Sequence, residues 1–237
     1  MKRSLRYLFT AALIALICLS ADARKKNAQG VVAGHPALAP YFSDPEGDSL
    51  APDNQGFIRR WLLLEPILKP NRTNTVFTDS YIRETFGQEM FPGYLNVLPE
   101  DGKSVKVGDE TLTWHALDSK LFNVKLYRYA TGMEKERYGI IFWAVTVLDV
   151  PETLENVRLS AGSNSASMWW LDGKEVLILS GDRRMVMDDG ASSRLTLTKG
   201  RHILRCAVIN GPGMSDFCVR FVDESGKPVT SFKTLNK

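Results

Sequence analysis

Hydrophobic and polar positions alternate along most of the chain beyond residue 110, with the two-residue period that is typical of half-buried β-strands. Val157, Leu159 and Ala161 alternate with polar neighbours, whereas residues 138–150 are continuously β-branched and aromatic, as in a central strand. Asp172-Gly173 separates two apolar runs and predicts a hairpin turn. Roughly nine to ten short strands with regularly spaced turns predict an all-β fold, an antiparallel β-sandwich or jelly roll.

The earlier half of the chain has fewer periodic segments. Residues 57–64 predict a first strand, and residues 122–129 alternate and predict another. Residues 79–86 predict one short helix, capped by Thr78 or Asp79. A last short strand is predicted at residues 228–232.

The N-terminus has the layout of a secretory signal peptide. Three basic residues precede the apolar run 7–19, which ends at Ser20-Ala21-Asp22-Ala23. We therefore predict a signal peptide at 1–23, a proline-punctuated extended tether at 24–55 and a β-sandwich domain at 56–237. The protein is expected to be exported, and its periplasmic, cell-surface or secreted location stays open.

The charge balance limits the classes of partner. Residues 1–23 hold three of the 30 basic residues and one of the 27 acidic ones, so the remaining chain has a net charge of +1. Such a weak field does not favour nucleic acid as a partner. No segment after the signal peptide is long and apolar enough to span a membrane.

Two cysteines, Cys206 and Cys218, follow the signal peptide. Export permits a disulfide between them. Strand alternation, however, places Cys206 on an inward face and Cys218 on an outward face. The sequence therefore predicts one core thiol and one surface thiol.

Four sequence stretches resemble the bacterial galactose-binding-like sandwich modules. They are residues 56–66 (GFIRRWLLLEP), 157–163 with 169–174, 197–211, and 217–228. The resemblance implies a galactose-binding-like fold and carbohydrate binding, because such modules accompany bacterial enzymes that degrade plant polysaccharides. Residues 77–82, 163–170 and 180–189 further resemble short exported Bacteroidetes proteins that are often labelled acetylxylan esterase.

Catalytic chemistry has little support in the residues themselves. The chain lacks a Gly-x-Ser-x-Gly elbow, and its Gly47-Asp48-Ser49-Leu50 follows a turn-rich segment instead of the buried strand that holds a nucleophile. His35, His115 and His202 are scattered, without the spacing of a metal site. We therefore assign no catalytic and no metal-binding residue.

The segment 180–189 holds most of the candidate ligand-binding residues. Arginine and aspartate side chains form paired hydrogen bonds with sugar hydroxyls, and an aromatic face can lie under the sugar ring. Alternation places Trp169 inward and Trp170 outward. The candidate set is Trp170, Asp182, Arg183, Arg184, Asp188, Asp189 and Asn164.

Each of these residues also has a structural alternative. Trp170 can lie under another loop, and the charged residues can form a local set of ion pairs. Asp188-Asp189 can be a solvated turn or ligands of a structural calcium, the one cofactor considered. Residues 164–166 stand where related modules carry Asp-Asp-Gly, and the loss of both carboxylates argues against calcium there.

Three hypotheses of function follow. The first is an exported, non-catalytic carbohydrate-binding module whose partner is a plant cell-wall polysaccharide or oligosaccharide. The second is an acetylxylan esterase, and the third is a protein-interaction domain of the envelope. Because a fold does not determine chemistry, the site must decide among them.

Overall fold

The computed structural model of the protein describes residues 30–235. The predicted signal peptide lies outside the described residues and stays a prediction. The helices are α1 (Val31–Gly34), α2 (Asp79–Gly87) and α3 (Leu126–Gly132), with a 3-10 turn at Pro36–Leu38. The strands are β1 (Phe42–Ser43), β2 (Arg60–Leu64), β3 (Ile67–Leu68), β4 (Ser104–Val107), β5 (Glu110–Ser119), β6 (Ile140–Val150), β7 (Leu154–Ser163), β8 (Ala166–Leu171), β9 (Lys174–Leu179), β10 (Gly190–Ala191), β11 (Leu195–Leu197), β12 (Gly200–Asn210), β13 (Phe217–Val222) and β14 (Lys233–Leu235).

Two antiparallel sheets form a sandwich, which confirms the predicted fold class. The large sheet has ten strands and runs β1-β5-β2-β6-β12-β8-β9, with β3 and β14 also paired to β6 and β4 paired to β5. In the small sheet, β7 pairs with β10, β11 and β13. The β-branched strand β6 pairs with β12 along its whole length and is central, as predicted.

The inner core lies between the two sheets. Trp61 and Trp169 of the large sheet face Phe217 and Val219 of the small sheet, and all four residues are buried. Trp61 and Phe217 meet edge to face, with ring centroids 5.0 Å apart. Burial of such large aromatic surfaces is the main favourable contribution to folding here.

A second core covers the outer face of the large sheet. Helix α2 begins after Thr78, whose hydroxyl accepts a hydrogen bond from the Tyr81 amide, as a helix N-cap does. Ile82 and Phe86 lie one turn apart on its buried face and pack on the sheet together with Phe91. The large sheet is therefore covered on both faces.

Three local predictions are wrong. Residues 122–129 are not a strand: their alternation ends in helix α3, because Leu126, Tyr129 and Ala130 have the i, i+3, i+4 spacing of a helix and all three pack in the inner core. The last strand is β14, whereas Pro228 makes only an isolated bridge with Val222.

The third wrong prediction is that of an extended tether, because residues 30–55 include α1, the 3-10 turn and β1. Leu38 and Phe42 are buried in the inner core, since apolar side chains within the proline-rich segment have a sheet edge to pack on. None of the helices in residues 30–235 is long and apolar enough to cross a membrane.

Candidate functional site

The predicted binding segment 180–189 lies on the outer face of the small sheet. Its backbone crosses β7 so closely that a Cβ atom on Gly162 would overlap the Val186 carbonyl oxygen at 1.7 Å. The Cys218 Sγ atom on β13 lies 4.0 Å from the same oxygen. The segment is thus a cover over the sheet.

The charged side chains of this segment are mostly engaged with one another or with the sheet. Arg183 Nε donates to Asp189 Oδ2 at 2.6 Å, and Arg220 pairs with Asp188. Asp188 also accepts from Ser160 Oγ at 2.7 Å. The hydrogen bonds from Arg220 hold the pKa of Asp188 below its ordinary value.

These pairs also argue against calcium at Asp188 and Asp189. A calcium site needs several free oxygen ligands. The Asp188 and Asp189 carboxylates each face a guanidinium already, so they do not fit a calcium ion. Within residues 30–235, no group of three or more His, Cys, Asp or Glu side chains is placed to hold a metal.

Trp170 is not a sugar-stacking platform, which corrects the prediction. It points outward from the inner core, but it is only 3% exposed. Its ring stacks on Trp143 at 5.3 Å and meets Phe86 of α2 edge to face. Trp170 therefore belongs to the outer core of the large sheet, whereas the segment 180–189 covers the small sheet, and the two do not form one site.

Four other predicted residues lie near one end of the sandwich. The Asn164 amide donates to the Asp216 carbonyl, and the next amide, of Ser165, donates to the Arg183 carbonyl. Asp182 accepts from Asn74 Nδ2 at 2.9 Å, and Arg184 is exposed. A ligand role for Asn164, Asp182, Arg183 and Arg184 stays a prediction, and so does a sugar-hydroxyl role for Asp188 and Asp189.

Cys206 and Cys218 are both free thiols. Cys206 lies in the inner core, as predicted. The prediction that Cys218 lies at the surface is wrong, because the segment 180–189 covers it and leaves it buried. Burial raises the pKa of the Cys218 thiol to about 12.

Two histidines have carboxylate partners that lie far away in sequence. His202 Nδ1 lies 2.6 Å from Asp172 Oδ2, and its Nε2 lies 2.8 Å from the Thr198 carbonyl oxygen. His115 Nε2 lies 3.4 Å from Glu65 Oε1. Among residues 30–235 no hydrogen bond joins a serine hydroxyl to a histidine, so neither pair forms the nucleophile–base arrangement of a serine esterase.

A concave feature lies at the outer edge of the large sheet, where the sequence predicted no site. One cleft of 630 Å³ is lined by Asp48, Asp101 and the turn around Gly47. An adjoining cleft of 200 Å³ is lined by Phe91 and Trp114, together with Lys103. Leu98, Pro99 and Glu100 line both clefts, so the two clefts adjoin, and we call them together the acidic groove.

A buried ion pair builds one wall of the acidic groove. Arg60 of β2 is fully buried and donates twice to Asp118 of β5, at 2.8 Å each. Its remaining donors reach the carbonyl oxygens of Glu46 at 2.9 Å and Gly47 at 3.1 Å. The guanidinium thereby fixes the 46–48 turn against the sheet.

The opposite wall is the irregular segment 88–101. Asp101 Oδ1 accepts from the Ala116 amide of β5 at 2.7 Å, which ties the end of this segment to the sheet. Val97 is 62% exposed beside the groove. Long irregular segments in compact domains commonly carry function. The sequence signal for this segment was its lack of periodicity. The groove itself leaves no local signal, because residues 48 and 100 come near each other only in the folded chain.

The acidic groove combines two kinds of lining. Carboxylates are strong acceptors for hydroxyl groups, and Lys103 is a donor. Leu98, Pro99 and the edges of Phe91 and Trp114 supply apolar surface. Concave sites with an apolar wall and a few polar groups are the usual form of small-ligand sites.

Comparisons with known proteins identify no family. No protein-family model matches the chain, and no curated protein matches it. Among solved structures it is similar to a PA14 sugar-binding domain from an RTX adhesin, with a TM-score of 0.39 and 9% identity over 74% of this chain and 96% of that one.

The chain is also similar to parts of a β-glucosidase from Kluyveromyces marxianus. For its complex with glucose the TM-score is 0.36, with 15% identity over 61% of this chain and 19% of the enzyme. For a second structure the TM-score is 0.33, with 16% identity over 50% and 15%. All three scores lie below 0.5, so the fold assignment rests on the two sheets, and the galactose-binding-like resemblance stays a prediction.

Proposed function

We propose that the protein is an exported, non-catalytic carbohydrate-binding module that holds a plant cell-wall polysaccharide in the acidic groove. The observation that carries the proposal is that the two clefts of the acidic groove adjoin. Two clefts that share Leu98, Pro99 and Glu100 offer room for consecutive sugar units, and not only for a single sugar.

The chemistry of the lining suits a sugar chain. Asp48, Glu100 and Asp101 are exposed acceptors on the groove, and sugar hydroxyls are donors that can pair with them. The apolar wall around Leu98 and Pro99 can cover the non-polar face of a pyranose. Because partly buried hydrogen bonds tie both walls to the sheet, little conformational entropy is lost on binding.

Calorimetric titration of the purified protein against plant polysaccharides, including acetylated xylan, tests the proposal. We expect saturable binding that Asp48→Ala and Glu100→Ala each weaken by about tenfold or more, because a hydrogen bond to a charged group contributes about 1.5–3 kcal/mol. Glu155→Ala is the matched control, since Glu155 is an exposed carboxylate at the start of β7 in the small sheet.

Three results would contradict the proposal. Unchanged affinity in both groove variants would show that the polysaccharide binds elsewhere. Continuing heat with release of acetate from acetylated xylan would show turnover, and the protein would then be an esterase. Absence of binding to every polysaccharide, together with copurification of an envelope protein, would favour the interaction hypothesis.

A further inference from the structure

A second surface of distinct chemistry surrounds helix α3 and the residues before β6. It consists of Tyr41, Tyr127, Arg128, Arg137 and Tyr138, and we call it the tyrosine–arginine surface. None of these residues lines the acidic groove.

The side chains of this surface are stacked on one another. The Arg128 guanidinium carbon lies 5.3 Å from the Tyr41 ring centroid and 5.9 Å from that of Tyr127. The Arg137 carbon lies 5.8 Å from the Tyr127 centroid. Tyr127 and Tyr138 lie 5.9 Å apart, with their hydroxyl oxygens separated by 3.4 Å.

Both guanidiniums keep their hydrogen-bonding edges available. Arg128 and Arg137 are exposed, and within residues 30–235 neither forms an ion pair or a hydrogen bond. The neighbouring lysines differ. Lys125 pairs with Asp216 at 2.7 Å and Lys135 with Glu65 at 3.2 Å.

Two other carboxylates lie next to these residues in sequence. Glu134 and Glu136 are exposed, and neither forms an ion pair with Arg128 or Arg137 in the described part of the chain. The two arginines therefore carry charge that the surrounding acids do not neutralise by direct contact.

The backbone under this surface is firmly held. Gly139, directly after Tyr138, has a φ of +62°, and a Cβ atom there would lie 2.9 Å from Pro70 Cα. Its carbonyl accepts from the Lys69 amide at 2.7 Å. On the other side, Leu126 and Tyr129 anchor α3 in the inner core. The backbone that carries the rings and guanidiniums is thus held before any ligand arrives, which reduces the entropic cost of binding.

We propose that the tyrosine–arginine surface binds an anionic sugar residue. A guanidinium stacked on a tyrosine ring still presents two parallel N–H groups at its edge, and this pair matches a carboxylate or a sulfate. Tyr138, which is 46% exposed, supplies the aromatic face for the pyranose ring. The site takes the charged units of a polysaccharide, and it stands independently of the acidic groove.

The test uses purified protein and three defined probes in calorimetric titrations. The probes are a tetramer of galacturonic acid, its fully methyl-esterified form and a sulfated galactan tetramer. We expect the acid or the sulfated probe to bind, and Arg128→Gln and Arg137→Gln each to weaken that binding by at least about tenfold. Added salt should weaken it too.

Arg201→Gln is the matched control. Arg201 is an exposed arginine near the start of β12, nine positions before Asn210, which pairs with Ile140 near Tyr138. At about 3.3 Å per residue, it lies roughly 30 Å from that end of the strand. This variant should bind the anionic probes as the unchanged protein does, and thermal melts should show that all variants fold.

Each outcome decides the proposal. Binding of the acid but not of its methyl ester identifies a uronate, and binding of the sulfated probe alone identifies a sulfated sugar. The proposal is overturned if neither anionic probe binds, or if the arginine variants bind them unchanged. Glu100→Ala separates this site from the groove, because it should leave the affinity for the anionic tetramer intact.

Discussion

Replacement of Arg60 by methionine should be strongly destabilising. Arg60 is 0% exposed, and methionine keeps much of its volume while removing the charge that neutralises Asp118. Removal of one partner from a buried ion pair typically costs about 3–5 kcal/mol, because it leaves an uncompensated buried charge. The Glu46 and Gly47 carbonyls lose their donors as well.

The loss can be measured by urea unfolding and by thermal melts. For a domain of this size, each kcal/mol lowers the melting temperature by about 2–4 °C, so the expected decrease is about 6–20 °C. The double variant Arg60→Met/Asp118→Leu should regain a large part of the stability, because it removes both charges.

The same variant should also affect the acidic groove. Without the Arg60 donors the 46–48 turn loses its tie to β2, so polysaccharide affinity should fall even in the restored double variant. A free-energy loss below about 1 kcal/mol for Arg60→Met would refute the reasoning, since that value is typical of exposed pairs.

Three further predictions concern the stability and reactivity of the fold. Burial lowers the pKa of His202, but its hydrogen bonds with Asp172 and the Thr198 carbonyl outweigh this and raise the pKa above the ordinary value. The stabilisation is complete below about pH 6.5 and is lost as the pH rises through the folded-state pKa. In urea unfolding from pH 5.5 to 8.5, the free energy of unfolding should therefore exceed that of His202→Gln at low pH, and the difference should disappear at high pH. Trp170→Ala should lower the free energy of unfolding by about 3–5 kcal/mol without changing polysaccharide affinity in calorimetry; reduced affinity in a folded variant would restore the stacking role. Cys218 should react with Ellman's reagent at pH 8 only after unfolding, and rapid reaction of the native protein would show that its cover opens.

Local patterns were sufficient for much of the fold. The Asp172-Gly173 turn joins β8 and β9, and the predicted helix is α2 with Thr78 as its cap. Each of these signals depends on residues a few positions apart, so it can be recognised without knowledge of the tertiary structure. Helix α3 was missed because a few alternating residues also satisfy a helical spacing, and only packing against the inner core distinguishes the two.

The candidate site was much less predictable. The acidic groove joins residues 45–48 to residues 91–105, which are adjacent only because Arg60 and Asp101 tie both segments to the sheet. The tyrosine–arginine surface likewise needs Tyr41, from the supposed tether, to lie beside α3. Contacts of such long range leave no periodic trace in a single sequence.

The sequence by itself determined the alternation of side chains, and with it the sandwich, the central strand and the opposite directions of Trp169 and Trp170. Only the tertiary structure decided what covers each face. Outward residues of one sheet lie under α2 and Phe91, and Cys218 of the other sheet lies under the segment 180–189. The physical reason is that the period of a strand specifies the direction of a side chain, whereas exposure depends on which distant segment packs over it.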